Sequence, residues 1–104
     1  MIDILKRMFN AGPSVDYASM VKEGGIILDV RTKGEYSSGH IKGSLNIEVG
    51  QLGNNLHRLP DKTKTIITCC ASGMRSGVAK NMLIAKGYKT VHNGGGWVSL
   101  REKI

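Results

Sequence analysis

The amino-acid sequence predicts an α/β fold built on a mostly parallel sheet. Two short, continuous apolar runs, Ile26–Val30 and Thr65–Cys69, are typical of strands that are buried on both faces. Segments with helical spacing of apolar residues alternate with these runs, which is the order expected of parallel strands joined by crossover helices. Ligands of such sheets bind beyond the carboxyl ends of the strands, so the loops that follow the strands are where a site is expected.

The composition bounds what the chain can be. Its 104 residues suit a single domain, 1–104, and a hydrophobic content of 40% allows one modest core. The net charge is +7, but the Lys and Arg residues are scattered singly and only 5% of the residues are aromatic. Small anions are therefore expected as ligands, rather than nucleic acid. No apolar run approaches the roughly 18 residues of a membrane span.

The N-terminal half contains the first predicted helices and the first strand. Residues 1–12 carry apolar side chains at helical spacing and are expected to form a short helix. Ser14 is a candidate cap for a helix over Val15–Lys22, which the following glycines end. A strand is predicted at Ile26–Val30, and a short helix follows at about Lys33–Ser37.

The C-terminal half continues this alternation. A short strand is predicted at Leu45–Ile47, and leucines at helical spacing between residues 52 and 59 predict a helix that Pro60 ends. The second buried strand, Ile66–Cys69, is followed by a predicted helix over Ser76–Lys86. The apolar residues expected on the inner face of that helix are Val78, Ala79, Met82, Leu83 and Ala85.

The last predicted elements are a strand at Thr90–His92 and a short helix that holds Trp97 and Leu100. Three polar or reactive side chains then stand at the carboxyl ends of predicted strands. They are Asp29, Cys70 and His92. Because these strand ends meet at one edge of a parallel sheet, we expect the loops that carry the three residues to converge.

The two cysteines, Cys69 and Cys70, are neighbours in sequence. They cannot join distant parts of a fold, and a disulfide between them would be strained. A free thiol persists in a reducing compartment, so a cytoplasmic location is expected. Alternation along a strand points the two side chains to opposite faces, and Cys69 is interpreted as a small core residue.

Cys70 lies between an apolar strand and a helical pattern, and it is the candidate nucleophile. A tight loop at the N-terminus of a helix offers unpaired backbone N–H groups and the positive end of the helix dipole. The same field favours the thiolate over the thiol, and the thiolate is the nucleophilic form. The N–H groups of a short loop also form a nest for an anion or an anionic intermediate.

Two stretches of the sequence carry a family resemblance, together with the glycines before Trp97. The stretches consist of Leu28–Arg31, Glu35–Tyr36, Gly39–Ile41 and Gly43–Ser44, and then of Cys70–Ser76. In these residues the chain resembles the rhodanese homology family, in particular its small single-domain sulfurtransferases. The resemblance spans about Val15 to the C-terminus. It implies a small three-layer fold, in which a mostly parallel central sheet of about five short strands lies between helices.

The resemblance also implies a reaction centred on Cys70. The cysteine would cycle between thiol and persulfide, with thiosulfate or a related compound as sulfur donor and cyanide, a thiol or a protein as acceptor. Kinetics would be ping-pong, and no metal or organic cofactor would be required. The loop that would bind the persulfide comprises Ala71, Ser72, Gly73, Met74, Arg75 and Ser76.

Four further residues are expected to support that loop rather than to react. They are Asp29, Arg31, Glu35 and His40. Arg75 could orient the donor anion or brace the loop, and the resemblance implies bracing, with an ion pair to Asp29 as our hypothesis. Ser76 is expected to cap the following helix or to donate to the loop. His40 has no second His or Cys at ligand spacing, so no metal site is predicted.

The spacing of the two cysteines leaves a second chemistry open. Counted from Cys69, five residues precede Arg75, which is the spacing of cysteine-dependent phosphatases, whose arginine binds phosphate in a bidentate manner. Counted from Cys70 the loop is one residue shorter, which suits a single sulfur atom better than a phosphate or arsenate oxyanion. Gly73 and Thr68 both fit the sulfurtransferase pattern better. A phosphatase or arsenate reductase, and a non-enzymatic sulfur carrier or regulatory module, are the alternatives.

Overall fold

A four-stranded parallel sheet organises residues 15–104, the part of the chain that the computed structural model describes. The strands are β1 (Ile26–Asp29), β2 (Leu45–Asn46), β3 (Ile66–Cys70) and β4 (Val91–Gly96). The helices are α1 (Tyr17–Lys22), α2 (Lys33–Ser38), α3 (Met74–Ala85) and α4 (Trp97–Arg101). The helix predicted within residues 1–12 and the predicted cap Ser14 lie outside the described residues. None of these four helices is long and apolar enough to cross a membrane.

The strand order is β2-β1-β3-β4, and every neighbouring pair is parallel. The predicted α/β class with a parallel sheet is thereby confirmed. The described residues form four strands where about five were expected. The two central strands, β1 and β3, end at the same edge of the sheet, because Asp29 pairs in register with Cys69. The segments after β1 and after β3 therefore emerge side by side.

Both faces of the sheet are covered, which gives three layers. One apolar cluster contains Leu28, Ile66 and Cys70 of the sheet together with Ala79 and Leu83 of α3. The other cluster contains Ile27, Ile67 and Cys69, and Tyr17 of α1 and Leu100 of α4 pack on it. All five residues of β3 are buried, as its continuous apolar run predicts.

The first helix is shorter than predicted. It begins at Tyr17 instead of Val15, and its N-cap is Asp16, whose side chain accepts a hydrogen bond from the N–H of Ser19. Aspartate is as effective a cap as serine, so the local sequence offered two starting points two residues apart. The helix begins directly after Asp16, whose carboxylate caps it.

The leucines between residues 52 and 59 do not lie on an α-helix, which corrects the prediction. They lie on two 3₁₀ segments, Val49–Asn54 and Leu56–Arg58. Leu52 and Leu59 are fully buried, so the spacing of the leucines correctly indicated an inward face. Two glycines in the first segment lower its α-helical propensity, and short 3₁₀ turns then suffice to bury the leucines.

Helix α3 begins at Met74, two residues before the predicted start. Of the five residues expected on its inner face, Ala79 and Leu83 are buried and Met82 is half-buried, whereas Val78 and Ala85 are exposed. The buried stripe also includes Ser76. The inner face therefore contains a polar residue next to the end of β3, and two of the predicted apolar residues, Val78 and Ala85, are exposed to solvent.

The last strand is longer than predicted, because it continues through the glycines to Gly96. Its pairing with β3 shifts register between Thr68 and Cys70. A Cβ atom on Gly94 would stand 2.9 Å from side-chain atoms of Ile67 and Leu100 and from the backbone oxygen of Thr68. Only a residue without a side chain allows β4 to pass this close to β3 and α4.

Gly94→Ala should therefore destabilise the fold. Relieving the three close contacts requires backbone shifts, and overpacking of this kind costs about 1–3 kcal/mol. The measurement is the free energy of unfolding in urea. Gly53→Ala is the matched control, because a Cβ atom there meets nothing within 4 Å. Equal stabilities of the two variants would contradict the close packing of β4.

Candidate active site

Cys70 is the last residue of β3 and is only 1% exposed. This corrects the expectation that it lies in the loop itself. Its Sγ atom nevertheless points toward the loop that follows. The N–H of Gly73 donates to Sγ at 2.9 Å, and the Oγ atom of Ser76 lies 3.3 Å from it. The sulfur thus stands at the bottom of a turn of polar groups.

The pKa of the Cys70 thiol is set by two opposing effects. Burial raises the pKa, because it penalises the charged thiolate. Hydrogen bonds from the Ser76 hydroxyl and from the N–H groups of Ser76, Gly73 and Ser72 lower it by more. The net pKa of Cys70 is below its ordinary value, so this turn stabilises negative charge on sulfur.

Cys69 has the opposite environment. Its side chain belongs to the apolar cluster on the other face of the sheet, as the alternation along β3 predicts. Burial, reinforced by the Asp29 carboxylate, raises the pKa of Cys69 to about 12. The neighbouring thiols of one strand therefore differ sharply in acidity, and Cys69 is a core residue.

The turn between β3 and α3 contains a left-handed glycine, Gly73, which lies beside a second left-handed glycine, Gly95, in β4. Gly73 has φ +105° and is the N-cap of α3, and Gly95 of β4 has φ +79°. A Cβ atom on Gly73 would lie 3.4 Å from the Cα atom of Gly95. The twelve-residue helix α3 therefore starts against β4, with its N-terminus beside the Cys70 sulfur.

Asn93 fixes this turn, although it is not among the site residues predicted from the sequence. Its Nδ2 donates to the backbone oxygen of Gly73 at 3.0 Å, and its Oδ1 accepts from the N–H of Gly95 at 2.9 Å. The Oγ atom of Ser76 lies 2.7 Å from the same Oδ1, and its single proton is donated either there or to the Cys70 sulfur. The orientation of the amide is unambiguous, since a carbonyl can only accept and an N–H can only donate. A polar residue just before three glycines was the available signal.

Ser76 is therefore not the cap of α3. It is the third residue of the helix and is fully buried, with its hydroxyl between the Cys70 sulfur and Asn93. The predicted alternative, a hydroxyl directed to the loop, agrees with this position.

Arg75 pairs with Glu35, not with Asp29 as predicted. The two guanidinium nitrogens lie 2.7 and 3.0 Å from the two carboxylate oxygens, which is a bidentate pair. Both side chains are about one third exposed. Glu35 is also part of a capping box with Thr32 at the start of α2. One carboxylate thus ties the helix after β1 to the helix after β3.

The pKa of Glu35 is lowered to about 2 by this arrangement. The largest cause is the hydrogen bond from Arg75, followed by the backbone N–H of Thr32. Glu35 therefore remains ionised throughout the physiological range and neutralises the cation of the loop.

Asp29 forms its ion pair with Arg31, two residues away. Nε of Arg31 donates to both carboxylate oxygens, and NH2 donates to one of them at 2.7 Å. The remaining donors of Arg31 reach the backbone oxygens of Glu35 and Gly39. This pair is almost completely buried and holds the segment after β1 in place. Removing one partner would leave the other charge unpaired, which costs about 3–5 kcal/mol.

Two histidines do not join the sulfur. His40 stacks on Tyr36 with ring centroids 3.7 Å apart, and its Nδ1 donates to the Tyr36 backbone oxygen at 2.7 Å. His92, predicted to converge with Cys70, lies within β4 and faces Tyr17 edge-on. The residue of β4 that lies next to the Cys70 turn is thus Asn93 and not the predicted His92.

The mouth of the site consists of exposed residues, and its one charge, on Arg75, is paired with Glu35. Ala71 and Ser72 are exposed, and Met74 is 81% exposed. Trp97 does not cover this mouth, since it packs in the second cluster against the guanidinium groups of Arg31 and Arg101. Within residues 15–104, no three His, Cys, Asp or Glu side chains are grouped so that they could hold a metal ion.

Comparisons with known proteins agree with the fold described above. The family model described as a rhodanese-like domain matches residues 5–103. Thiosulfate sulfurtransferase PspE of Escherichia coli (strain K12) is 36% identical over 70 residues, which cover 66% of this chain and 67% of PspE. Thiosulfate sulfurtransferase 18 of Arabidopsis thaliana is 33% identical over 95 residues, covering 78% of this chain and 70% of the relative.

Solved structures give the same result. A rhodanese with anions from E. coli superposes with a TM-score of 0.69 at 32% identity, covering 73% of this chain and 91% of that one. Reduced CoADR-RHD of Bacillus anthracis has a TM-score of 0.71 at 38% identity. It covers 83% of this chain, which matches only 15% of that longer protein.

Replacing Ser76 by alanine should raise the pKa of Cys70. A hydrogen bond to a charged group contributes about 1.5–3 kcal/mol, which corresponds to about one to two pKa units. The pKa is measured from the pH dependence of alkylation by iodoacetamide. Ser72→Ala is the control, because it removes an exposed hydroxyl and keeps the backbone N–H. A shift of the same size in both variants would contradict the role of the Ser76 hydroxyl.

Glu35→Gln should lower the free energy of unfolding by an amount that depends on pH. The pKa of Glu35 is depressed from 4.5 to about 2, so its stabilisation is complete above pH 4.5 and is lost as the pH falls toward 2. The wild type should therefore exceed the variant in urea midpoint at pH 7, and the difference should vanish near pH 2. Glu23→Gln, at an exposed residue with no ion pair among the described residues, should show no such trend.

Proposed function

The chain belongs to the rhodanese family, and we propose that it is a sulfurtransferase that carries a sulfane sulfur as a persulfide on Cys70. The single observation that carries this proposal is the contrast between the two thiols. Hydrogen bonds lower the pKa of Cys70, whereas burial raises the pKa of Cys69 to about 12. Cys70 is therefore the more readily ionised thiol, and the thiolate is the nucleophilic form.

The first half-reaction loads the enzyme. The Cys70 thiolate attacks the outer sulfur of thiosulfate, a new S–S bond forms, and the bond to the sulfonate sulfur breaks with loss of sulfite. Negative charge moves from Sγ to the terminal sulfur of the persulfide. The N–H groups of Ser72, Gly73 and Ser76, together with the N-terminus of α3, are placed to stabilise that charge.

The second half-reaction unloads the enzyme. Cyanide or a thiolate attacks the terminal sulfur, the S–S bond breaks, and the electron pair returns to Cys70 as thiolate. The two half-reactions use the same site in turn, so ping-pong kinetics are expected. The steps need neither a metal nor an organic cofactor, and a reducing compartment such as the cytoplasm would keep the thiol ready.

The geometry favours sulfur over phosphate or arsenate. A phosphatase needs its loop arginine to bind an oxyanion, but both ends of the Arg75 guanidinium are held by Glu35. The cysteine with phosphatase spacing is Cys69, which faces the other side of the sheet. Neither requirement of the alternative chemistry is met.

A carrier module would need the same cysteine, so turnover separates it from an enzyme. A carrier accepts one sulfur per chain and stops, whereas an enzyme supplied with thiosulfate and cyanide continues. The open mouth at Ala71, Ser72 and Met74 favours repeated exchange of small donors and acceptors.

Thiosulfate should add one sulfur to the wild-type protein, as observed by intact-mass spectrometry. Cys70→Ser should abolish this adduct, and Cys69→Ser should retain it. The Cys69 variant is the matched control, because it removes a thiol of the same strand. Loss of the adduct in the Cys69 variant alone, or hydrolysis of an aryl phosphate without any sulfur adduct, would contradict the proposal.

A further inference from the structure

The positive charge of the chain is concentrated in the segment that contains Cys70. Residues 62–101 contain seven Lys or Arg residues and no Asp or Glu, so they account for the whole net charge of +7. The rest of the chain has equal numbers of acids and bases. Arg75 is neutralised by Glu35 from outside this segment. The excess charge therefore belongs mainly to the lysines.

Helix α3 carries the most exposed apolar residue of the described chain. Met74 at the mouth of the site is 81% exposed, Val78 one turn later 52%, and Ile84 near the other end 49%. Residues 74, 78, 81 and 85 recur at helical spacing and are all exposed, so they form the centre of the outer face of α3. Ile84 follows Asn81 by three residues and Lys80 by four, so it lies with Lys80 at one edge of that face. Twelve helical residues make this face about 18 Å long.

Lysines border this face and extend beyond its far end. Lys80 is half-buried on α3, and Lys86 and Lys89 are exposed just after it. Lys62 joins them, because its Nζ donates to the backbone oxygen of Lys86 and its own backbone oxygen accepts from the N–H of Lys89. A strip of apolar and basic side chains thus runs from the mouth of the site along α3.

We propose that this strip, Met74–Val78–Ile84 with Lys80, Lys86 and Lys89, docks an acidic protein whose thiol receives the sulfur from Cys70. The proposal rests on the proposed sulfurtransferase function and names the class of its acceptor. Charge complementarity identifies the partner as acidic, and the exposed apolar residues add contact area beside the charges. The strip begins at Met74, the residue after Gly73, whose N–H donates to the Cys70 sulfur, so a docked partner has its thiol near that turn.

A protein fits the strip better than RNA does. Binding of single-stranded nucleic acid relies on aromatic side chains on which the bases stack. The outer face of α3 has none, since its exposed large residues are Met74, Val78 and Ile84. Three aliphatic side chains beside three lysines suit a peptide segment with apolar and acidic residues.

The transfer itself balances without another reactant. The partner's thiolate attacks the terminal sulfur of the Cys70 persulfide and forms a persulfide on the partner. The S–S bond to Cys70 breaks, and the electron pair leaves with the Cys70 thiolate. The strip takes no part in this chemistry, so it should affect encounter with the acceptor and leave the reactivity of the persulfide unchanged.

Two synthetic peptides test the charge preference. Each peptide has one central Cys and two Leu. About six residues from the Cys, on either side, each also has three residues that are Glu in one peptide and Gln in the other. An extended chain of six residues reaches about 20 Å, which matches the length of the strip. The persulfide form of the enzyme is mixed with each peptide, and the transfer rate constant is measured at low and at high salt.

Transfer to the Glu peptide should exceed transfer to the Gln peptide by about tenfold at low salt, and the ratio should approach one at high salt. The triple variant Lys80→Gln, Lys86→Gln, Lys89→Gln should abolish the preference. The matched control is Lys22→Gln, Lys42→Gln, Lys103→Gln, which removes the same charge from exposed positions outside the strip. Val78→Ser with Ile84→Ser should slow transfer to both peptides by severalfold.

Transfer to cyanide separates failure of this proposal from failure of the proposed function. All three variants should load Cys70 from thiosulfate and transfer to cyanide at the wild-type rate. Absence of loading in the wild type would overturn the proposed function. Normal loading with no preference for the Glu peptide, or equal loss in both triple variants, would overturn docking at the strip. Binding of an RNA oligonucleotide in place of the Glu peptide would overturn it as well.

Discussion

The rest of the site depends on the hydrogen bonds that stabilise negative charge on the buried sulfur of Cys70. A thiolate at a buried position is unfavourable unless hydrogen-bond donors replace the water that it has lost. Here the donors are the Ser76 hydroxyl and the backbone of the turn between β3 and α3. Those donors converge only if the turn is tight, and the turn is tight only because Gly73 is left-handed and β4 passes close beside it without side chains. The lowered pKa of Cys70 thus depends on the relative positions of β3, α3 and β4.

Two ion pairs hold the segments around this turn in place, and each stabilises a different part. Asp29 and Arg31 are buried and organise the segment after β1, with guanidinium donors reaching two backbone oxygens of the same segment. Glu35 and Arg75 lie at the surface and join that segment to the start of α3. The buried pair fixes geometry because breaking it would leave a charge in the interior. The surface pair also occupies the cation of the loop, which limits the kinds of anion that the loop can bind.

Much of this arrangement follows from local patterns in the sequence. Continuous apolar runs predicted β1 and β3, and the cysteine between a strand and a helix predicted the turn at Cys70. Patterns did not predict which charges would pair, because Asp29, Glu35, Arg31 and Arg75 are all plausible partners until the loops have a path in space. They also did not predict the role of Asn93, since two of its three hydrogen bonds reach residues that are 17 and 20 positions away in the sequence. The two 3₁₀ segments were predicted as an α-helix, because the spacing of the leucines indicates which side is buried but does not distinguish an α-helix from 3₁₀ turns.

The opposite orientation of Cys69 and Cys70 has a consequence for oxidative damage. Many reactive cysteines are protected when a second thiol of the same chain condenses with the sulfenic acid to form a disulfide. Cys69 is the only other cysteine of the chain, and it lies on the far face of β3, so it cannot reach Cys70 unless the central strand is broken. No second thiol within these 104 residues can therefore resolve an oxidised Cys70. Its repair, like the proposed sulfur transfer, then depends on a thiol that arrives at the mouth of the site.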